Sequence, residues 1–173
     1  MNYAIEFAEK ISQAEEEKMS QDLAAYESSH GIDVNYKKFS VIFRDDKGGV
    51  FGVINAFTAF AEVYVDDIWV DASCRGRGFG KKLLQVFEEH FKGKGFNNIN
   101  LVTSAFQAPG FYEKCGFQAQ FVRENKKNPK LTKTFFVKFF DDETQTQGIL
   151  KDKEITNTEG PIKIAERDQI DFI

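Results

Sequence analysis

Apolar residues recur along this chain with two different rhythms, and the places where the rhythm changes divide it into elements. Residues 2–8 alternate weakly and predict a first strand, and residues 11–28 (ISQAEEEKMSQDLAAYES) predict a helix that Gly31 stops. Next come two β-rich runs, FSVIF (39–43) and VFGVINAF (50–57), separated by RDDKGG, an Asp- and Gly-rich turn that predicts a hairpin. EVYVDDIWV (62–70) follows with no helix between. The period then changes. Leu83, Leu84, Phe87 and Phe91 form one apolar stripe, with Lys81, Lys82, Gln85, Glu88 and Glu89 on the other side, which predicts a helix over about residues 78–93 that Gly93 and Gly95 end. NINLVTS (98–104) reads as a strand, Pro109 to Lys114 as a short helix, and FQAQFVREN (117–125) with KTFFVKFF (133–140) as a last hairpin. The order β-α-β-β-β-α-β-α-β-β predicts an α/β fold with a mixed central sheet, and no internal repeat is visible.

From Asp141 onward the chain turns polar with scattered Ile, so the expected division is a domain over residues 1–140 and an accessory segment over 141–173, packed along the domain or mobile. Its end, PIKIAERDQIDFI, alternates enough to add a strand, as a lid or a dimer arm would. Composition narrows the class. A 42% hydrophobic content with 19 Phe fills one full core, and a net charge of −4 is opposite to the basic footprint of a nucleic-acid binder, though it leaves room for a local basic patch. No segment approaches the roughly 20 apolar residues needed to span a bilayer, and MNYAIEFAEK lacks a signal core, so a soluble cytoplasmic protein is expected. Cys74 and Cys115 show no framework spacing and read as free thiols. No metal is expected, because neither C-x-x-C nor H-x-x-x-H occurs.

The chemistry concentrates in SCRGRGFGKKLLQVFEEH (73–90). Three glycines and two arginines stand at the entrance of the amphipathic helix, where unpartnered N–H groups and the macrodipole favour an anion. Arg75, Arg77, Lys81 and Lys82 add positive charge around Gly76, Gly78 and Gly80, so the stretch reads as a phosphate loop. A P-loop would need G-x-x-x-x-G-K-[ST], but Lys82 follows Gly80-Lys81 and Arg75 replaces the first glycine. A dinucleotide fingerprint needs G-x-G-x-x-G, whereas the spacing here is G-x-G-x-G. What remains is R-x-x-G-x-G, from Arg75, Gly78 and Gly80.

That pattern, between a strand and a helix, resembles the pyrophosphate loop of the GNAT N-acetyltransferases. NINLVTSAFQAPGFYEKCGF (98–117) resembles the second signature of the same family, and FQAPGFY together with Asp66-Asp67-Ile68-Trp69-Val70 is similar to a bacterial subgroup. The likeness covers roughly residues 2–140. It implies a GNAT-type sheet with one central strand pair splayed to admit the pantetheine arm, and acetyl-CoA as cosubstrate. It also implies that the coenzyme lies against Ile68, Trp69 and Val70, the loop Arg75, Gly76, Arg77, Gly78, Phe79, Gly80 and Lys81, and Phe111 and Lys114. A primary amine would attack the acetyl group directly.

Such an amine is almost fully protonated at neutral pH, so a base is needed. Asp67, Asp66 and Glu62 are the candidates on the strand before the loop. Simple alternation puts Asp67 with Val65 and Trp69, and a bulge would swap the faces. The resemblance implies a backbone N–H at the strand end, Val70 or Trp69, as donor to the acetyl oxygen, and Tyr112 as the phenol beside the leaving sulfur. Many family members hold the pantetheine with an Asn before this helix, where Gln107-Ala108-Pro109 stands here. Cys115 has no activating His in the sequence around it, which argues against an acyl-cysteine. Glu15, Glu16 and Glu17 read as a solvated helix face, with the alternative of an acidic rim that favours a cationic amine. The acceptor is not readable from the sequence, and the alternative to an enzyme is a non-catalytic acyl-CoA-binding or regulatory module.

Overall fold

Ser12 decides where the first helix begins. In the computed structural model, which describes residues 4–140 and the backbone of 164–166, the Ser12 hydroxyl accepts from the Glu15 N–H. The Glu15 carboxylate accepts from the Ser12 N–H at 2.8 Å. This reciprocal capping box starts helix α1 (Gln13–Ser29), and the turn into Gly31, at φ +72°, closes it. The described chain falls into two units, residues 1–35 and 36–173, and α1 belongs to the first. Residues 4–8 form no strand, and Ile5 and Phe7 are exposed. The expectation of a strand over 2–8 is therefore corrected for the described residues: a weak alternation forms no strand without a partner to satisfy its backbone.

In the second unit, the strands are β1 (Lys37–Arg44), β2 (Val50–Ala59), β3 (Glu62–Val70), β4 (Asn98–Ser104), β5 (Gln118–Arg123), β6 (Lys133–Phe139) and the short β7 (Ile164–Glu166). They form one sheet in the order β5-β6-β4-β3-β2-β1-β7, antiparallel throughout except for β3 and β4. The β1–β2 hairpin turns where Asp45 accepts from the N–H groups of Lys47 and Gly49 at 3.0 and 2.7 Å. Of residues 141–173, only Ile164–Glu166 lies within the described residues, and it pairs with Phe39–Val41 on β1. No described helix is long and apolar enough to cross a membrane.

A parallel pair needs a crossover, and helix α2 (Phe79–Phe91) supplies it. Its stripe of Leu83, Leu84, Phe87 and Phe91 is buried, in one cluster with Val41, Ile54, Ala56, Val63, Val65, Ile99 and Leu101 of the sheet. Each fully buried Leu or Phe is worth about 1.5–3 kcal/mol. Leu83 sits so close that a Cβ at Gly52 would lie 3.0 Å from its Cδ1. Helix α3 (Pro109–Lys114) follows β4.

Two irregularities position the site. The β3–β4 pairing runs only from Glu62–Asn98 to Val65–Leu101, although both strands continue beyond it. Across β2–β3, Ala56 opposes Val65 and Asn55 opposes Asp67, so Asp66 is an extra residue, a β-bulge. The bulge resets the alternation: Ile68 and Val70 turn toward the core on the α2 side, while Asp67 and Trp69 take the opposite face with Asn55. Of the two placements the sequence leaves open for Asp67, the structure has the one set by a bulge, away from Val65 and on the face of Trp69.

Candidate active site

The gap between β3 and β4 opens where their pairing stops, and backbone groups face into it. Asp71 N–H donates to Phe51 carbonyl on β2 at 2.9 Å. Alternation along β3 then points the Trp69 N–H at β2 as well, and turns those of Ile68 and Val70 away from β2, toward the gap. Of the two expected strand-end donors, Val70 has the required direction and Trp69 does not. Arg75 Nε donates to the Val70 carbonyl at 3.0 Å, which ties the start of the glycine loop to the end of β3.

Gly76 (φ +74°) and Gly78 (φ +86°) take left-handed backbone with open space where a Cβ would stand. Gly78 is the N-cap of α2 and offers no side chain, and the first helical hydrogen bond runs from Lys82 N–H to the Gly78 carbonyl. The N–H groups of Phe79, Gly80 and Lys81 therefore have no partner within the helix, the arrangement that receives an anion. Gly80 plays another part: a Cβ there would lie 3.2 Å from Phe111 Cζ and 3.8 Å from Val70 Cγ2, so its bareness lets α3 approach α2. Arg77 lies over the Phe79 ring at 5.3 Å.

Tyr112 sits on α3 with its ring among Phe111, Phe117 and Phe136, at centroid distances of 5.2, 6.0 and 5.8 Å. The residue is 8% exposed, yet its hydroxyl makes no hydrogen bond among the described residues, and no buried side-chain oxygen there lacks a partner. The hydroxyl thus keeps contact with solvent. Burial first, then the negative charge of Cys115 and Asp67, pushes its pKa up to about 12, so the phenol stays protonated through the neutral range. Gln107 is exposed, and its Oε1 accepts from Ser104 N–H at 2.8 Å and Thr103 Oγ1 at 3.2 Å, which caps the end of β4. Lys114 is exposed at the end of α3.

The three carboxylates part company. Glu62 lies at the closed end of the β3–β4 pair, where it accepts from Asn98 at 3.2 Å, Asn100 at 3.3 Å and the Tyr64 hydroxyl. Five residues of strand separate it from Asp67, about 16 Å. Asp66 sits in the bulge, and burial followed by the Asp67 charge raises its pKa, with Lys38 opposing. Asp67 lies beside the gap, where its Oδ2 is 3.5 Å from Asn55 Nδ2, and Asn55 Oδ1 accepts from the buried Ser40 hydroxyl at 2.8 Å. Sequence reasoning missed this row of Ser40, Asn55 and Asp67; its only trace is one Asn inside the apolar run VFGVINAF. Cys115 has its thiol pKa raised, chiefly by burial, the reverse of an activated nucleophile. His90 packs edge-on against Phe91, at a centroid distance of 4.9 Å.

Known proteins resemble this chain in fold and in sequence. An acetyltransferase structure from Bacillus cereus matches with a TM-score of 0.64 and 28% identity, over 78% of this chain and 98% of that one. A Bacillus anthracis structure, assigned as a streptothricin acetyltransferase and solved with acetyl coenzyme A, matches at TM-score 0.53 and 25% identity, over 61% of this chain and 64% of that one. Glucosamine 6-phosphate N-acetyltransferase 1 of Oryza sativa subsp. japonica is 39% identical over 54 residues, 31% of this chain and 32% of that enzyme, so the match spans about a third of that relative. Residues 3–117 match the acetyltransferase (GNAT) family, and the chain belongs to that family.

Proposed function

We propose that the chain transfers the acetyl group of acetyl-CoA to the nitrogen of a primary amine by direct attack. The observation that carries this reading is the opened β3–β4 gap, with the N–H groups of Ile68 and Val70 facing into it and the bare N-terminus of α2 at its rim. The residues fit the coenzyme, which supplies the activated thioester when bound. The first-turn N–H groups at Phe79, Gly80 and Lys81 would hold its pyrophosphate, with Gly76 and Gly78 shaping the loop and Arg75, Arg77 and Lys81 adding charge. Ile68, Trp69, Val70 and Phe111 would line the rest, and Lys114 stands at the exposed edge. The acetyl-CoA complex of the Bacillus anthracis relative supports acetyl-CoA as the ligand.

Asp67 accepts the amine proton, directly or through water, with Asp66 beside it as a second carboxylate. Val70 N–H donates to the carbonyl oxygen as negative charge gathers there. Tyr112, held protonated, donates to the sulfur as the C–S bond breaks. The acceptor is an amine of small-molecule, amino acid or protein origin, and the relatives named above include a glucosamine 6-phosphate N-acetyltransferase and a structure assigned as a streptothricin acetyltransferase. Within the family we place the chain with bacterial members that carry FQAPGFY, here Phe106 to Tyr112. The two free thiols agree with a reducing compartment, the cytoplasm.

The test is release of free thiol from acetyl-CoA across a panel of primary amines. Turnover with at least one amine is expected. Tight coenzyme binding by calorimetry with no turnover on any amine overturns the enzyme in favour of a binding module.

A further inference from the structure

A second strongly basic stretch in this acidic chain lies outside the coenzyme loop. Between β5 and β6 runs RENKKNPKLTK (123–133), with cations at Arg123, Lys126, Lys127, Lys130 and Lys133 and a single acid, Glu124. None of the five is in an ion pair among the described residues. Arg123 and Lys133 stand directly opposite each other across the β5–β6 pair, an arrangement of like charges that costs stability unless an anion lies between them. The backbone beneath them is ordered. Asn125 Oδ1 accepts from the N–H groups of Lys127 and Asn128 at 3.1 and 2.9 Å, and Thr132 Oγ1 accepts from Asn125 N–H at 3.1 Å. Four cations, Arg123, Lys126, Lys127 and Lys133, wall a concavity of ≈ 300 Å³ together with Asn125, Leu131 and one carboxylate, Glu124.

The loop also stands next to the chemistry. Lys133 pairs with Ser104, the last residue of β4, and the carbonyls of Thr132 and Lys130 accept from the N–H groups of Ala105 and Phe106 at 2.8 and 3.2 Å. The concavity therefore adjoins the open end of the gap, on the segment that leads from β4 to Tyr112. Lysines that only protect a sheet edge are spread along the edge strand. Here β5 carries one cation, at its last position, and the rest cluster at the end nearest the gap.

We propose that the β5–β6 loop is an anion subsite that holds the phosphate of a phosphomonoester amine acceptor while its amine lies at Asp67. The proposal rests on the acetyl-transfer reading above. A phosphomonoester suits the site because its dianion presents three acceptor oxygens to several ammonium groups at once.

The experiment uses the full chain saturated with CoA and titrated with inorganic phosphate at constant ionic strength, reading backbone amides by NMR. Saturable shifts confined to residues 123–133 are expected. A Lys127→Gln/Lys130→Gln/Lys133→Gln variant with unchanged melting temperature should bind phosphate at least about tenfold more weakly, the worth of one charge-assisted hydrogen bond. CoA and dephospho-CoA should bind wild type equally. Absence of saturable shifts in the loop overturns the proposal, as does equal phosphate affinity in the variant. So does displacement of phosphate from the loop by CoA with weakened dephospho-CoA binding, which would assign the cations to the coenzyme's own 3′-phosphate. An oligonucleotide that binds the loop far more tightly than phosphate would also overturn it. Amides 76–82 report the coenzyme in the same spectra, so failure of the coenzyme reading appears in different signals.

Discussion

Asp67 stands directly opposite Asn55 across the β2–β3 pair, one residue beyond the bulge at Asp66, with the amide nitrogen 3.5 Å from its carboxylate. Ser40 holds the other end of that amide at 2.8 Å, which sets which atom of Asn55 faces the aspartate. Asp67→Asn is expected to lower kcat by about 10²–10⁴-fold with coenzyme affinity retained. Asn55→Leu should lower kcat less, since the base remains and only its orientation loosens. A wild-type kcat in Asp67→Asn, together with a large loss in Asp66→Asn, would move the proton acceptor to the bulge residue.

Tyr112→Phe keeps the ring contacts with Phe111, Phe117 and Phe136 and removes only the hydroxyl. kcat should fall by roughly 10²–10⁴-fold while the melting temperature and coenzyme affinity stay close to wild type. Unchanged turnover per folded molecule would make Tyr112 a packing residue.

The same tyrosine makes a stability prediction with a definite sign. Its folded pKa, about 12, lies above its ordinary value of 10.0, so the protonated form is favoured in the folded state. Its contribution is fully present below the unfolded value and is lost as pH rises from about 10 through about 12. Alkaline unfolding followed by tyrosine absorbance should show a steeper loss of stability in that window for wild type than for Tyr112→Phe.

Gly78 tests the anion loop. Asp and Asn have nearly the same shape, and both pay for left-handed backbone at φ +86°, about 1–2 kcal/mol. Only Asp brings a negative charge to the bare end of α2. Calorimetry should show coenzyme affinity much lower in Gly78→Asp than in Gly78→Asn. Equal affinities would place the pyrophosphate elsewhere.

Glu62 should behave as structure. Its carboxylate already accepts from Asn98, Asn100 and Tyr64, so Glu62→Gln disturbs a satisfied network and should destabilise by about 1–3 kcal/mol. Turnover per folded molecule should be unchanged. A large drop in kcat at wild-type melting temperature would restore Glu62 as a base.

Local periodicity by itself determined much of this protein. The stripe of Leu83, Leu84, Phe87 and Phe91, the Asp- and Gly-rich turn after β1 and the Pro109–Lys114 helix follow from neighbours a few residues apart, and R-x-x-G-x-G with FYEKCGF was enough to point to the family. The tertiary structure decided whatever depends on a distant partner. Residues 4–8 alternate but form no strand, because alternation supplies a face and not a neighbour to bond. The bulge that turns Asp67 away from Val65 arises from its register against β2, and two of the three partners that saturate Glu62 lie 36 and 38 residues away. Gly80 reads as part of a phosphate loop, whereas its contact with Phe111 exists only once α3 has packed. The cations of residues 123–133 look like an ordinary polar hairpin until the strand order sets them against the end of β4.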